Sequence, residues 1–258
     1  MLLTPRDRDL IELLSKMNLM TTRQISKSIF PSVAHTTVMR RLRLLEDAKF
    51  IRRIEGLRDG LLAWQLASSS APLLPHLVVR FAVNKNTLAH DVQLTELRLS
   101  LRPFGFEKTW ISDLEMKRNT FEHGRVTSGP KRNVPDGLFT REVRCERLLI
   151  AVELELSPKS RARYLELFSS YNHKRTIQMV WYLVCDEAFG HALLELWQQA
   201  GKYNRDQRFA FSLVDEVIKD PLTARVFETN FVLHLQDCFA IRRPDEALTP
   251  LHHGLHMV

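Results

Sequence analysis

Cysteine is scarce in this chain of 258 residues: Cys145, Cys185 and Cys238 are widely spaced, odd in number and include no CxxC pair. That argues against both a disulfide framework and a zinc finger, and the simplest compartment for such a chain is a reducing cytoplasm. Long hydrophobic runs are missing too. None approaches the roughly 18 residues that cross a bilayer, and Met1-Leu2-Leu3 is followed at once by charged residues, so neither a secretory signal nor a membrane partner is expected. No GxGxxG or GxxxxGK[ST] stretch occurs, which removes the glycine loops that cradle phosphates. No internal repeat is apparent.

What is present is the composition of a soluble globular protein, 45% hydrophobic and 26% charged, long enough for one large or two ordinary domains. The net charge of +7 and a pI near 9.5 favour a polyanionic partner. Residues 1–60 carry 12 Lys/Arg against 7 Asp/Glu, a net of +5, so most of the excess lies in the N-terminal quarter.

The stretch 36–56 organises that quarter. Val38, Leu42 and Leu45 recur at i, i+4 and i+7 and make an apolar stripe, which leaves Thr36, Thr37, Arg40 and Arg43 on the opposite side with Met39 and Arg41 on the flanks. A short β-prone run follows at 50–54 and a turn at 56–60, and 61–66 can pair back as the second strand of a hairpin. Upstream, Thr4-Pro5 opens a first helix with Leu10, Leu13, Leu14 and Met17 on its buried face, and Thr21 or Thr22 caps a second that buries Ile25 and Ile29. Three helices and a hairpin within about 65 residues predict a winged helix-turn-helix. In that arrangement Thr36, Thr37, Arg40, Arg41 and Arg43 face DNA, with Arg40 and Arg43 near base edges, while Arg52, Arg53 and Arg58 suit phosphates. A three-helix interaction module that touches no DNA is the plainer alternative, since arginines on a helix are often a solvated face.

Residues 68–80, small and proline-bearing, read as a linker. Beyond it the pattern predicts a well-buried helix at 87–101 carrying His90 and Glu96, then strands at 106–116, 134–143 and 148–156, a basic helix at 160–171, a strand at 176–185, a helix at 189–201 and a strand at 209–214. This alternation suggests a mixed sheet with helices packed on it. His90 reads as a hydrogen-bonded core histidine, Cys145 and Cys185 as buried rather than reactive, and Trp181, Tyr182 and Trp197 as core. The tail from 241 to 258, with His252 and His253, looks peripheral.

The chemical signal of the second region is acidic. Asp136 stands at a turn beside a strand, and Glu153 and Glu155, two apart on another, share a face. Brought together, three such carboxylates could hold Mg²⁺ through oxygen, and the ion could activate water at a phosphate. The bland reading has Glu153 and Glu155 pairing with Arg161 or Arg163.

The order of a helix with Glu96, a strand with Pro135-Asp136, a strand with Glu153 and Glu155, and a basic helix resembles the PD-(D/E)xK nuclease core. TPRDRDLIELLSKMNLMTTRQISKSIFPS, NTLAHDVQLTELRLSL, VPDG and VELELSPKSRARY are similar to the replication-relaxation family of bacterial plasmid and mobile-element proteins, over residues 4–185. The resemblance implies a winged helix joined to a degenerate nuclease-like fold that serves plasmid replication, relaxation or mobilisation. It implies Asp136 and Glu153 as metal ligands, Glu155 as ligand or base, and Glu96 as an outer partner. The lysine of the ExK element is replaced by Glu155; if cleavage survives, Glu155 and Lys159, four residues on, would carry it.

The expectation is therefore an α+β chain: a winged helix-turn-helix at 1–67, a linker at 68–80, a nuclease-like α/β domain at 81–240 and a tail. Its function would be cytoplasmic, sequence-specific binding of double-stranded DNA, as a regulator of transcription, replication or mobilisation in which a homodimer is one assembly to consider and no cofactor is needed for binding. The rival is a Mg²⁺-dependent endonuclease targeted by the same helix.

Overall fold

The computed structural model describes residues 2–57, 61–73, 84–113, 115–117, 133–143, 146–200 and 207–241. The fold is α+β, and its chain forms two compact units. The first comprises Met1–Leu99, Trp110–Leu138 and Ala151–Leu156; the second comprises Ser100–Thr109, Phe139–Ile150 and Ser157–Val258.

The first unit begins with helix α1 (Pro5–Met17), strand β1 (Leu19–Thr21), helices α2 (Thr22–Ile29) and α3 (His35–Asp47), and strands β2 (Ile51–Ile54) and β3 (Ala63–Leu66). Local chemistry sets the boundaries of the first two helices. Thr4 and Asp7 form a capping box at α1, and Thr21 and Gln24 form another at α2, each satisfying two amides that the first turn would leave bare. The three strands form an antiparallel sheet in the order β1-β3-β2. Strand β1, three residues long, is absent from the sequence expectation because so short a run carries no period of its own. Leu10 and Leu14 of α1, Ile25 of α2, Val38, Leu42 and Leu45 of α3, and Trp64 and Leu66 of β3 close one apolar core, nearly all fully buried.

Where a linker was expected, Ser68–Leu73 forms a 3-10 helix, and 74–80 lies outside the described residues. Helix α4 (Leu88–Leu101) follows a 3-10 turn at Lys85–Thr87. Up to Leu99 it belongs to the same compact unit as the first 67 residues, so the expected division at 68–80 does not separate compact units. The expected strand at 106–116 is replaced by a 3-10 turn at Phe106–Lys108 and a two-residue strand β4 (Ile111–Ser112). Left-handed Gly105 (φ +81°) and Pro103 punctuate that segment.

Strands β5 (Gly137–Val143) and β6 (Glu146–Glu155), helix α5 (Arg161–Asn172), strand β7 (Met179–Val184), helix α6 (Glu187–Ala200) and strand β8 (Arg208–Leu213) agree with the predicted alternation. Helix α7 (Val214–Lys219), strands β9 (Arg225–Phe227) and β10 (Val232–His234), and helix α8 (Leu235–Cys238) extend it. The mixed sheet runs β10-β9-β8-β7-β6-β5-β4, with β7 and β8 parallel and β8, β9 and β10 antiparallel. In the second unit Trp181 and Tyr182 are core as expected. Phe139, Trp181, Phe106 and Phe239 meet largely edge to face, the arrangement that aromatic quadrupoles favour. Among the described residues, no helix is long and apolar enough to cross a membrane.

Candidate functional site

Helix α3 has a clean division of faces. Val38, Leu42 and Leu45 are 0% exposed, and their burial turns Thr36, Thr37, Arg40 and Arg43 to solvent, all four exposed. Ala34 at its N-cap supplies no side-chain hydrogen bond. Leu44, 45% exposed, lies on the same outer side.

Arg41 departs from the expected set of outward cations. Its guanidinium grips the buried carboxylate of Asp7, Nε donating to Oδ1 at 2.8 Å and Nη2 donating to Oδ2, so it ties α3 to the first turn of α1. Burial would raise the Asp7 pKa, but hydrogen bonds from Arg41 and Thr4 outweigh it and hold the carboxyl below its ordinary value. A flank position is where a long side chain can turn inward, and no local pattern signals that its acid lies 34 residues upstream.

On the strands, Arg52 is half-buried and donates from Nη2 to Gln65 Oε1 at 2.6 Å. Arg53 is exposed and stands 3.6 Å from Glu46, a solvent-screened pair of small energetic worth. Arg58 lies outside the described residues.

Helix α4 uses its polar residues inwardly. The hydroxyl of Thr95 lies 3.2 Å from the carbonyl oxygen of Met17 and 3.0 Å from that of Leu19, and Arg98 Nη1 donates to that of Lys16 at 2.5 Å. These oxygens sit at and just beyond the end of α1, where carbonyls lack intrahelical partners. The Arg98 guanidinium also stacks over Trp110 at 5.0 Å. Gln24 Nε2 donates to Glu96 Oε2 at 2.8 Å and to the Val92 carbonyl at 3.1 Å. Glu96, an outer metal-site partner by resemblance, is thus bound to α2.

One turn earlier, His90 borders a cavity of about 500 Å³ together with Asp91, Thr95, Arg98, Asp113 and Asp136. Its Nε2 lies 3.2 Å from Asp136 Oδ2 and 3.1 Å from the Leu154 carbonyl, and its Nδ1 lies 3.7 Å from Asp91 Oδ1. Burial pulls the imidazole pKa down, but Asp136 and Asp91 more than compensate, and the net position is raised to about 10. His90 is therefore an imidazolium at neutral pH, more than the hydrogen-bonded core histidine of the sequence reading.

Asp136 precedes β5. Its amide donates to the Val152 carbonyl, and its Oδ2 accepts from the Leu154 amide at 2.8 Å. Glu153 is half-buried and Glu155 is 6% exposed. Among the described residues, no three His, Cys, Asp or Glu side chains are grouped so as to hold a metal ion. Of the expected trio of Asp136, Glu153 and Glu155, Asp136 engages the Leu154 amide and His90 through Oδ2. Lys159, the other expected catalytic group, has its ammonium 5.9 Å from the Tyr164 ring centre and its amide bonded to the Tyr164 hydroxyl. Arg161 donates to Gln199 and Arg163 pairs with Glu166. Cys185 is exposed, contrary to expectation, and Cys238 is buried; Cys145 and the tail histidines lie outside the described residues.

No family model matches the chain, and no curated protein sequence matches it. Among solved structures, restriction endonuclease FokI bound to DNA is similar at 12% identity and a TM-score of 0.29, and restriction endonuclease FokI at 12% and 0.33. In both cases 82% of this chain is covered and 43% of the other, so the chain spans less than half the length of that protein. Likeness at these scores carries no argument about activity.

Proposed function

We propose that this chain is a sequence-specific binding protein for double-stranded DNA, with residues 1–67 acting as a winged helix-turn-helix and α3 entering the major groove. The observation that carries this reading is the outer face of α3: Thr36, Thr37, Arg40 and Arg43 are all exposed on a helix whose opposite stripe is fully buried. Guanidinium groups on such a face can donate two parallel hydrogen bonds to guanine, and threonine can meet base edges or the thymine methyl. Arg52 and Arg53, on β2, would meet the backbone in this reading, and Arg58 joins them by its position in sequence. Arg41 leaves the contact set and supports α3 from behind through Asp7.

In this reading the remainder of the chain is a scaffold, and the output is control of transcription, replication or mobilisation on a plasmid or mobile element. The test is a gel-shift titration, at fixed salt, of a duplex selected from a random pool against its scrambled counterpart. The selected duplex should bind at least tenfold more tightly; equal affinity for both would overturn sequence-specific binding. Nicking of plasmid DNA that requires Mg²⁺ or Mn²⁺ and is abolished by Asp136→Asn would replace this reading with an endonuclease.

A further inference from the structure

A concavity of about 550 Å³ opens between the start of α1 and the flank of α3. Its lining includes Pro5 and Arg6 from α1, Val33 from the turn before α3, and Thr37, Arg40 and Leu44 from α3. Two kinds of chemistry meet there. Pro5 and Leu44 are exposed apolar surface and Val33 is half-buried, while Arg6 and Arg40 are exposed cations. Asp7, an acid in the same lining, is 0% exposed and paired with Arg41, so it presents no outward negative charge to an anion. The Asp7–Arg41 pair and the Thr4–Asp7 capping box also hold the first turn of α1 against α3, which fixes Arg6 relative to Arg40.

We infer that this groove receives the sugar-phosphate backbone beside the bases that α3 reads, with Arg6 as a phosphate contact. The inference rests on the proposed DNA-binding reading and extends it to a second element. Deoxyribose is apolar on its ring faces and suits the floor of Pro5, Val33 and Leu44; the phosphate is anionic and suits the arginine rim. A backbone contact of this kind orients the protein on the duplex without reading sequence.

The test compares full-length wild type, Arg6→Ala, Arg40→Ala and Leu44→Ser on one selected duplex and its scrambled counterpart across a salt series. Arg6 is exposed, so its removal leaves the core untouched. Arg6→Ala should weaken both duplexes by the same factor and flatten the slope of log affinity against log salt by about one unit. Leu44→Ser should weaken both without changing the slope. If Arg40→Ala weakens binding while Arg6→Ala keeps the wild-type affinity and slope, the groove is off the DNA and this inference alone fails. If neither arginine variant alters binding, the DNA reading of α3 fails and the groove assignment with it.

Discussion

Helices α3 and α4 are nearly equal in length, 13 and 14 residues, yet they treat their polar side chains in opposite ways. On α3 Thr36, Thr37, Arg40 and Arg43 point to solvent while Arg41 turns to Asp7, and among the described residues Arg40 and Arg43 have no ion-pair partner. On α4 Thr95 and Arg98 are buried and His90, Gln24-bound Glu96 and Arg98 all have protein partners. A buried polar group must find partners within the protein or pay a desolvation penalty; an exposed cation loses nothing by waiting for an external one. The polar chemistry of α4 thus belongs to stability, and on the proposed reading that of the outer face of α3 belongs to binding, so substitutions on the two helices should separate these properties.

The largest effect falls on α4. Arg98→Ala leaves the Lys16 carbonyl without its donor and removes the stack on Trp110, and should cost roughly 2 to 4 kcal/mol of stability in denaturant titrations. A loss below about 0.5 kcal/mol, the range of an ordinary surface site, would show that α4 does not hold the end of α1.

His90 gives a pH signature on the same helix. Its pKa is raised in the folded state, from 6.5 to about 10, so its stabilisation is complete below pH 6.5 and fades as pH rises through 10. Against His90→Gln, wild type should lose roughly 2 to 3 kcal/mol of its advantage over that interval, allowing for solvent screening of a partly exposed ring. A stability difference that stays constant from pH 6 to pH 10 would mean that the imidazolium is not held by Asp136 and Asp91.

On α3 the expected signs reverse. Arg40→Ala and Arg43→Ala should each cost about 1 to 3 kcal/mol of binding to a selected duplex where they meet a base, with denaturation midpoints within experimental scatter of wild type. A fall in stability with unchanged DNA affinity would erase the contrast between the helices. The smallest effect is at the partly exposed Arg53–Glu46 pair: Glu46→Gln should change stability by no more than about 0.5 kcal/mol.

The same contrast explains what can be read from the chain. Helix α3 is legible because the i, i+4, i+7 spacing of Val38, Leu42 and Leu45 fixes which side is buried, and everything opposite follows. Thr4-Pro5, and Thr21 or Thr22, announce the starts of α1 and α2 through short-range capping. The work of α4 is not legible, because its partners lie far along the sequence: His90 and Asp136 are 46 residues apart, Thr95 and Met17 are 78 apart, and Arg98 and Lys16 are 82 apart. Arg41 illustrates the boundary between the two cases. Its helical position is readable, but whether it faces DNA or Asp7 depends on how α1 packs, which no spacing within α3 encodes. The Glu153 and Glu155 alternation is readable as one strand face, whereas a metal site also requires other elements to converge on it, and for Asp136 the convergence is with His90 and the Leu154 amide.

Whether α3 reads sequence is measured by selecting bound duplexes from a random pool at fixed salt, in parallel for wild type and the Arg40→Ala, Arg43→Ala double variant. Wild type should enrich one short motif, and the double variant, folded to the same stability, should lose that preference while keeping weak, salt-sensitive affinity for all duplexes. Enrichment of the same motif by both proteins, or of none by wild type, would contradict the assignment of α3 as the element that recognises DNA.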